Sequence, residues 1–260
     1  MTTDKKSTGD KPFPVDLRGR TALVTGGSRG IGREIAIGLA ECGASIILNY
    51  AGNDQKANET RQLIEELGVI CTLAKADLSR SDCAERIAQQ ADQADVLVLN
   101  ASVQHRNPWN RIPVDEMDQQ MNTNFRASLL LVQQYAPGMI ERGWGRIITI
   151  GSVQETKPHP DMIVYAATKV AQTHMAKALA IQLAPHGITV NSIAPGVILT
   201  DRNTQALQDK TYEKVVLDKI PLGCFGEATD FHGIIQLLCS EQGRYITGQN
   251  IYVDGGMGIL

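Results

Sequence analysis

Seven short apolar runs, separated by longer amphipathic stretches, set the strongest limit on how this chain can fold. They are Thr21–Thr25, Ser45–Leu48, Val69–Leu73, Asp95–Leu99, Arg146–Ile150, Ile188–Ile193 and Asn250–Val253. A strand without polar alternation has no face to give to water and must be covered on both sides. The intervening lengths suit crossover helices rather than hairpins. The pattern therefore predicts an α/β fold: a single doubly wound (Rossmann) domain, with a seven-stranded, mostly parallel sheet and helices on both faces. A chain of 260 residues, 43% of them hydrophobic, fits one such domain, assigned here to residues 16–260. Residues 1–15 carry Lys, Asp, Ser and Pro with almost no apolar content, which predicts a flexible tail.

Helix ends are readable from capping chemistry. Asn53 or Asp54 can cap a helix closing near Leu67-Gly68, and Ser79 or Ser81 can cap the next. Pro137 is expected to distort a late turn of the long segment Asp115–Arg142, and Gly187 to end the helix that carries Tyr165.

Composition excludes several function classes. A net charge of −3 offers no basic excess for nucleic acid. The five cysteines are odd in number and form no Cys-x-x-Cys, so they read as buried thiols in a reducing compartment. The five histidines show no ligand spacing, and no catalytic metal is expected. No apolar run approaches the roughly 18 residues of a membrane span, and the first residues lack a signal-peptide core, so a cytoplasmic protein with no membrane contact is expected.

The first strand leads into Thr25-Gly26-Gly27-Ser28-Arg29-Gly30-Ile31-Gly32 and then an amphipathic helix. Glycines there let the backbone turn tightly and let a pyrophosphate approach the free N–H groups of the helix start, so this turn is read as a dinucleotide site. The end of the second strand decides which nicotinamide cofactor is preferred. An acid there would bind the ribose 2′-hydroxyl and repel a 2′-phosphate, but the chain has Asn49-Tyr50-Ala51. Arg29 can pair with a 2′-phosphate through its guanidinium fork, so NADP(H) is the expected preference, with NAD(H) usable. Asp77, after the third strand, is placed to meet the adenine amino group or to cap the following helix.

Tyr165 and Lys169 lie four residues apart, thirteen and seventeen residues beyond Ser152. A four-residue helical step turns only about 40° from its start, so phenol and ammonium share a face. A free tyrosine has a pKa of about 10 and is a reluctant base at neutral pH. A neighbouring ammonium, joined by an oxidised nicotinamide, favours the phenolate.

In order along the chain, the glycine turn, Asp77-Leu78, Asn100-Ala101-Ser102, Asn124, Gly151-Ser152, Tyr165 with Lys169, Pro195-Gly196 followed by Thr200, and Gly248–Gly256 resemble the classical short-chain dehydrogenase/reductase family. The likeness covers nearly everything from Leu17 to Gly256. It implies an oxidoreductase acting on CH–OH with NAD(P) as acceptor, interconverting a secondary alcohol and a ketone. Tyr165 would be the acid/base. Lys169 would also hold the nicotinamide ribose, Ser152 the substrate oxygen, and Asn124 a water that relays protons to Lys169. Gly26, Ser28, Arg29, Gly30, Ile31, Gly32, Asn49, Tyr50, Asp77, Leu78, Asn100, Ala101, Ser102, Pro195, Gly196, Val197 and Thr200 would line the cofactor, together with Tyr165 and Lys169. In one motif the chain departs from the family pattern: Leu99 and Ser102 stand where Asn and Gly are usual, which narrows the space beside the nicotinamide ribose.

Candidates to face the substrate are Gln104, His105, Val153, Gln154, Glu155, His159, Met162 and Val197, under a lid spanning about 197–221. Ser152-Val-Gln-Glu155 is similar to the stretch in sugar-oxidising members, so Ser152, Gln154, Glu155 and Tyr165 are assigned to a small polar carbonyl or polyol substrate. The alternative is 3-oxoacyl-acyl-carrier-protein reductase. Members with that activity present basic residues where this chain has Gly143 and His186, which weakens the alternative. A nucleotide-sensing regulator without turnover is the remaining alternative. The resemblance also implies a homotetramer or, failing that, a dimer, built through the two long helices and the C-terminal strand region.

Overall fold

The computed structural model describes residues 15–204 and 206–259. The expected tail, apart from Val15, lies outside the described residues, as does Gln205 of the expected lid. The sheet has seven strands: β1 Thr21–Val24, β2 Ser45–Tyr50, β3 Cys71–Lys75, β4 Val96–Leu99, β5 Gly145–Ile150, β6 Ile188–Pro195 and β7 Asn250–Val253. Their order is β3-β2-β1-β4-β5-β6-β7 and every pairing is parallel, so the sheet is more uniform than "mostly parallel". The chain winds outward from β1 to β3, then crosses back to place β4 on the other side of β1. That reversal opens a crevice beyond the carboxyl ends of β1 and β4, the usual ligand position in such sheets.

Side chains alternate across the sheet and feed two cores. On one face Ala22, Val24, Ile46, Leu48, Val96 and Val98 pack with α1 (Gly30–Ala40) through Ile35 and Leu39, α2 (Asp54–Glu66) through Ile64, and the C-terminal segment through Phe231, Ile235 and Leu238. On the other, Leu23, Ile47, Leu97, Leu99, Ile147 and Val190 meet α3 (Cys83–Ala88) through Ile87, and the two long helices, α5 (Ala127–Arg142) and α6 (Ile163–Leu183).

The segment expected as one long helix is divided. α4 (Val114–Gln120) runs into a π turn at Met121–Arg126 and then into α5 (Ala127–Arg142), which carries Pro137 without a break. The irregularity is therefore at Asn124 and not at Pro137. One extra residue per turn rotates Asn124 inward, where its carboxamide accepts from Val103 N (2.8 Å) and donates to Val103 O (2.9 Å) and Thr168 Oγ1 (3.0 Å). The other long helix, α6, spans Ile163–Leu183; a 3₁₀ turn follows it and closes at Gly187, whose φ of 73° suits glycine.

Asn53 caps α2 as expected, accepting from Lys56 N at 2.9 Å. Neither Ser79 nor Ser81 caps α3. Asp82 precedes the helix, and its carboxylate is taken by Arg80 (3.1 Å) and Arg86 (2.7 Å) instead of the helix N–H groups. The remaining helices are α7 (Asp201–Thr204) and α8 (Lys210–Leu217), within the expected lid, and α9 (His232–Cys239) behind the sheet. Among the described residues no helix is long and apolar enough to cross a membrane.

Candidate active site

A cleft of about 1280 Å³ runs along the carboxyl edge of the sheet. At one end is the glycine turn. Thr25 organises it: its hydroxyl donates to Val98 O (3.1 Å) and accepts from the backbone N–H groups of Asn100 (2.9 Å) and Ala101 (3.0 Å). Asn100 in turn donates its side-chain amide to Thr25 O (2.8 Å) and Gly26 O (3.3 Å), locking the ends of β1 and β4 together. Gly26 and Gly30 have φ of 63° and 56°, which side-chain-bearing residues avoid. A Cβ on Gly32 would overlap the Asn100 amide and lie 2.5 Å from Gly26 O. The turn is thus an open cradle of main chain at the start of α1, which fits a dinucleotide pyrophosphate.

Every residue assigned to the cofactor from sequence lines this cleft: Gly26, Ser28, Arg29, Gly30, Ile31, Gly32, Asn49, Tyr50, Asp77, Leu78, Asn100, Ala101, Ser102, Tyr165, Lys169, Pro195, Gly196, Val197 and Thr200. Local bonding qualifies some of their roles. The Asn49 amide is turned to β3, donating to Ala74 O (3.0 Å) and Ala76 O (3.2 Å). The Tyr50 hydroxyl donates to Asp54 (2.8 Å), and burial with that carboxylate raises its pKa. Asp77 is exposed and accepts from Ser79 N (2.9 Å), so part of its carboxylate shapes the turn after β3. The sequence reading missed Lys56, which also lines this end and pairs with Asp201 of α7 at 2.7 Å. Nothing in the spacing marks it, since Lys56 reaches the cleft only because α2 packs beside the glycine turn, where Thr60 donates to Ser28 O (3.3 Å).

At the other end, β5 delivers Ser152 and α6 delivers Tyr165 and Lys169, all three buried and all lining the cleft. Lys169 Nζ lies 5.8 Å from the centre of the Tyr165 ring and donates to Ile150 O (2.7 Å) and Gln172 Oε1 (3.1 Å). The Ser152 hydroxyl accepts from Gln154 N (3.1 Å). Asn124 is buried behind the pair; its carboxamide bonds Val103 and Thr168, and the Thr168 hydroxyl donates to Tyr165 O (2.7 Å). Its side chain therefore braces the helix under Tyr165.

Two expected substrate contacts are corrected. Glu155 does not line the cleft. Its carboxylate folds beneath the loop, accepting from Ser152 N (2.8 Å) and Asn250 Nδ2 (3.0 Å), so it braces the segment that positions Ser152. Burial raises its pKa, against the opposing pull of those hydrogen bonds and of the Lys169 charge. His105 also turns away, with Nε2 at 2.8 Å from Gln119 Oε1 and Nδ1 at 3.7 Å from Glu116. Gln104, Val153, Gln154, His159, Met162 and Val197 do line the cleft. The Gln154 side-chain oxygen accepts from His159 N (2.6 Å), which shapes the loop as a wall of the pocket. His159 has its pKa lowered, by burial first and then by Arg106. Leu207, Tyr212, Val216, Asp218 and Lys219, from the segment expected to be a lid, also line the cleft, joined by Arg106 and Lys157, none of which the sequence singled out as substrate contacts.

Comparison with known proteins agrees with this geometry. The sequence model of the family described as enoyl-(acyl carrier protein) reductase matches residues 26–258. The chain is similar to 3-oxoacyl-(acyl-carrier-protein) reductase FabG of Staphylococcus aureus, with 38% identity over 242 residues, covering 92% of this chain and 98% of the relative. Among solved structures it resembles a protein of Beutenbergia cavernae described as an NAD(P)-dependent gluconate 5-dehydrogenase with bound NADP. The TM-score is 0.90 and the identity 31%, over 95% of this chain and all (100%) of that one. It also resembles an NADP-bound 3-oxoacyl-(acyl-carrier-protein) reductase of Agrobacterium tumefaciens, with a TM-score of 0.88 and 33% identity over 93% of this chain and 95% of that one. With the glycine cradle, the Ser152, Tyr165 and Lys169 group, and this coverage together, the chain belongs to the classical short-chain dehydrogenase/reductase family of oxidoreductases.

Proposed function

We propose that the protein interconverts a secondary alcohol and a ketone with NADP(H), on a small polar substrate, using Tyr165 as acid/base. The observation that carries this is the placement of buried Tyr165, Lys169 and Ser152 in the same cleft as the glycine cradle. When bound, the reduced nicotinamide supplies the hydride for the carbonyl carbon. The Tyr165 hydroxyl gives its proton to the developing alkoxide, and the Lys169 ammonium stabilises the phenolate left behind. Ser152 holds the substrate oxygen. Arg29 and Lys56 at the nucleotide end support a preference for the 2′-phosphate, since β2 ends in Asn49-Tyr50 and not in an acid, while Lys56 shares its charge with Asp201.

The substrate end combines apolar side chains, Val153, Met162, Val197, Leu207 and Val216, with polar and cationic ones, Gln104, Gln154, Arg106, Lys157 and Lys219, and one described carboxylate, Asp218. The polar and cationic groups support a hydroxylated substrate, including a sugar acid. The second reading, reduction of a 3-oxoacyl group on an acidic carrier protein, is favoured by the likeness to FabG. It is disfavoured by Gly143 and His186 at the positions expected to be basic. Turnover on D-gluconate and related polyols, compared with acetoacetyl thioesters, decides between them. Activity confined to thioesters rejects the polar-substrate reading, and cofactor binding with no turnover on either class favours a regulator. A homotetramer completes the proposal, supported by Ile163, Val170 and Ile181, apolar residues that α6 leaves exposed.

A further inference from the structure

Lys169 is 1% exposed. Burial penalises the ammonium unless acceptors replace water. Two of its hydrogen bonds go to neutral oxygens: the Ile150 carbonyl at the end of β5 and the Gln172 side-chain carbonyl, one turn further along α6. The Glu155 carboxylate acts on it through space from the loop after β5.

Gln172 is fully buried, and the orientation of its amide is dictated from behind. Nε2 donates to Ser128 Oγ (2.8 Å) and to Leu99 O (3.4 Å). Ser128 Oγ has one proton, which it gives to Asn124 O (3.3 Å). Flipping the amide would set its NH₂ against the ammonium and its oxygen against the Leu99 carbonyl, both repulsive. Ser128 is at the first turn of α5, immediately after the π turn that rotates Asn124 inward. The same irregularity thus fixes both Asn124 and the serine that orients Gln172. The chain Lys169–Gln172–Ser128, ending on the main-chain carbonyl of Asn124, joins α6 to α5, and Gln172 does not itself line the cleft but reaches it through Lys169.

We propose that Gln172 is a positioning residue for the reaction: its side-chain carbonyl, held by Ser128 and Leu99 O, keeps the Lys169 ammonium charged and aimed so that it polarises the Tyr165 phenol. The proposal rests on the roles of Tyr165 and Lys169 given above. Titratable groups acting on Lys169 include Tyr165 on its own helix and Glu155 on the loop after β5; Ile150 from β5 meets the ammonium with a neutral carbonyl, and Ser128 from α5 and Leu99 from β4 meet Gln172 with neutral groups.

The test reads the phenolate directly, so it needs no substrate. The ultraviolet absorbance of tyrosinate is titrated against pH with NADP⁺ present, and the same titration of Tyr165→Phe is subtracted to isolate one of the six tyrosines. In Gln172→Met the isolated midpoint moves up by about one pH unit, the consequence of losing one hydrogen bond to a charged group. Ser128→Ala, a smaller change, gives an upward shift in the same sense and decides the matter if Gln172→Met does not fold. A midpoint unmoved in Gln172→Met, or in Ser128→Ala when it is the only folded variant, overturns the proposal. If instead Tyr165→Phe keeps its turnover on D-gluconate or acetoacetyl thioester, the underlying reading of Tyr165 fails, which is a distinct result.

Discussion

Replacing Gly32 by alanine sets two effects against each other, and the structure gives a size for each. Gly32 is inside α1, where alanine is ordinarily preferred over glycine by about 1 kcal/mol. The new Cβ, however, would overlap the Asn100 amide and lie 2.5 Å from Gly26 O, whereas Cβ contacts under 3.0 Å are essentially never seen. The Gly26 carbonyl must retreat by at least about 0.5 Å, an overpacking of the kind that costs about 1–3 kcal/mol. Asn100 cannot swing clear without giving up its bonds to Thr25 O and Gly26 O, at about 1 kcal/mol each. Packing therefore wins, and the net loss of stability is about 2–4 kcal/mol. Because the displaced atoms are the cradle itself, NADPH affinity falls at least about tenfold. Gly233→Ala, in the first turn of α9, is the control: its Cβ meets nothing within 4 Å, and only the helical gain of up to about 1 kcal/mol remains. Denaturant unfolding and fluorescence titration with NADPH measure both quantities. A Gly32→Ala protein as stable as its parent, with unchanged NADPH affinity, refutes the account of the cradle.

Further predictions concern charge. Arg29→Ala and Lys56→Ala each weaken NADPH by about ten- to a hundredfold while changing NADH by less than threefold; equal losses for the two cofactors would remove the 2′-phosphate assignment. Burial raises the Glu155 carboxyl above its ordinary 4.5, so the folded protein holds a proton that the unfolded chain has released. The stability this lends is full below pH 4.5 and is lost as pH rises through the raised value. Glu155→Gln removes that dependence, so the unfolding free energy of the variant minus that of the parent increases as pH climbs from 4.5. A difference that stays flat with pH would contradict the burial argument. Turnover in Glu155→Gln also drops, because the single amide oxygen cannot accept from both Ser152 N and Asn250 Nδ2 as the carboxylate does, while a true substrate contact would show chiefly in KM.

The sheet and the nucleotide end were legible because their signals are local. Strands covered on both faces read as unbroken apolar runs, and a glycine turn between strand and helix has few other uses. What escaped sequence reading depends on which way a side chain points. Glu155 and Gln154 are adjacent and equally polar, yet one lies under the loop and the other faces the cleft, because a carboxylate within reach of Ser152 N and Asn250 is drawn inward. The π turn carries no proline or glycine to announce it, and Pro137, which does look like a breaker, is accommodated in α5. Lys56, Arg106 and Lys157 join the site only through packing between segments far apart in the chain. Ser128 and Gln172 become meaningful only once α5 and α6 are seen side by side.

The central claim is that Tyr165 moves the proton. Tyr165→Phe removes one hydroxyl from a buried ring, and the protein is expected to unfold at nearly the parent's denaturant midpoint and to bind NADPH with unchanged affinity. Its turnover on whichever of D-gluconate or acetoacetyl thioester the parent accepts should fall by at least about a hundredfold, the least that a positioned acid/base ordinarily contributes. A folded, NADPH-binding Tyr165→Phe protein that keeps more than about a tenth of the parent's turnover would contradict the account.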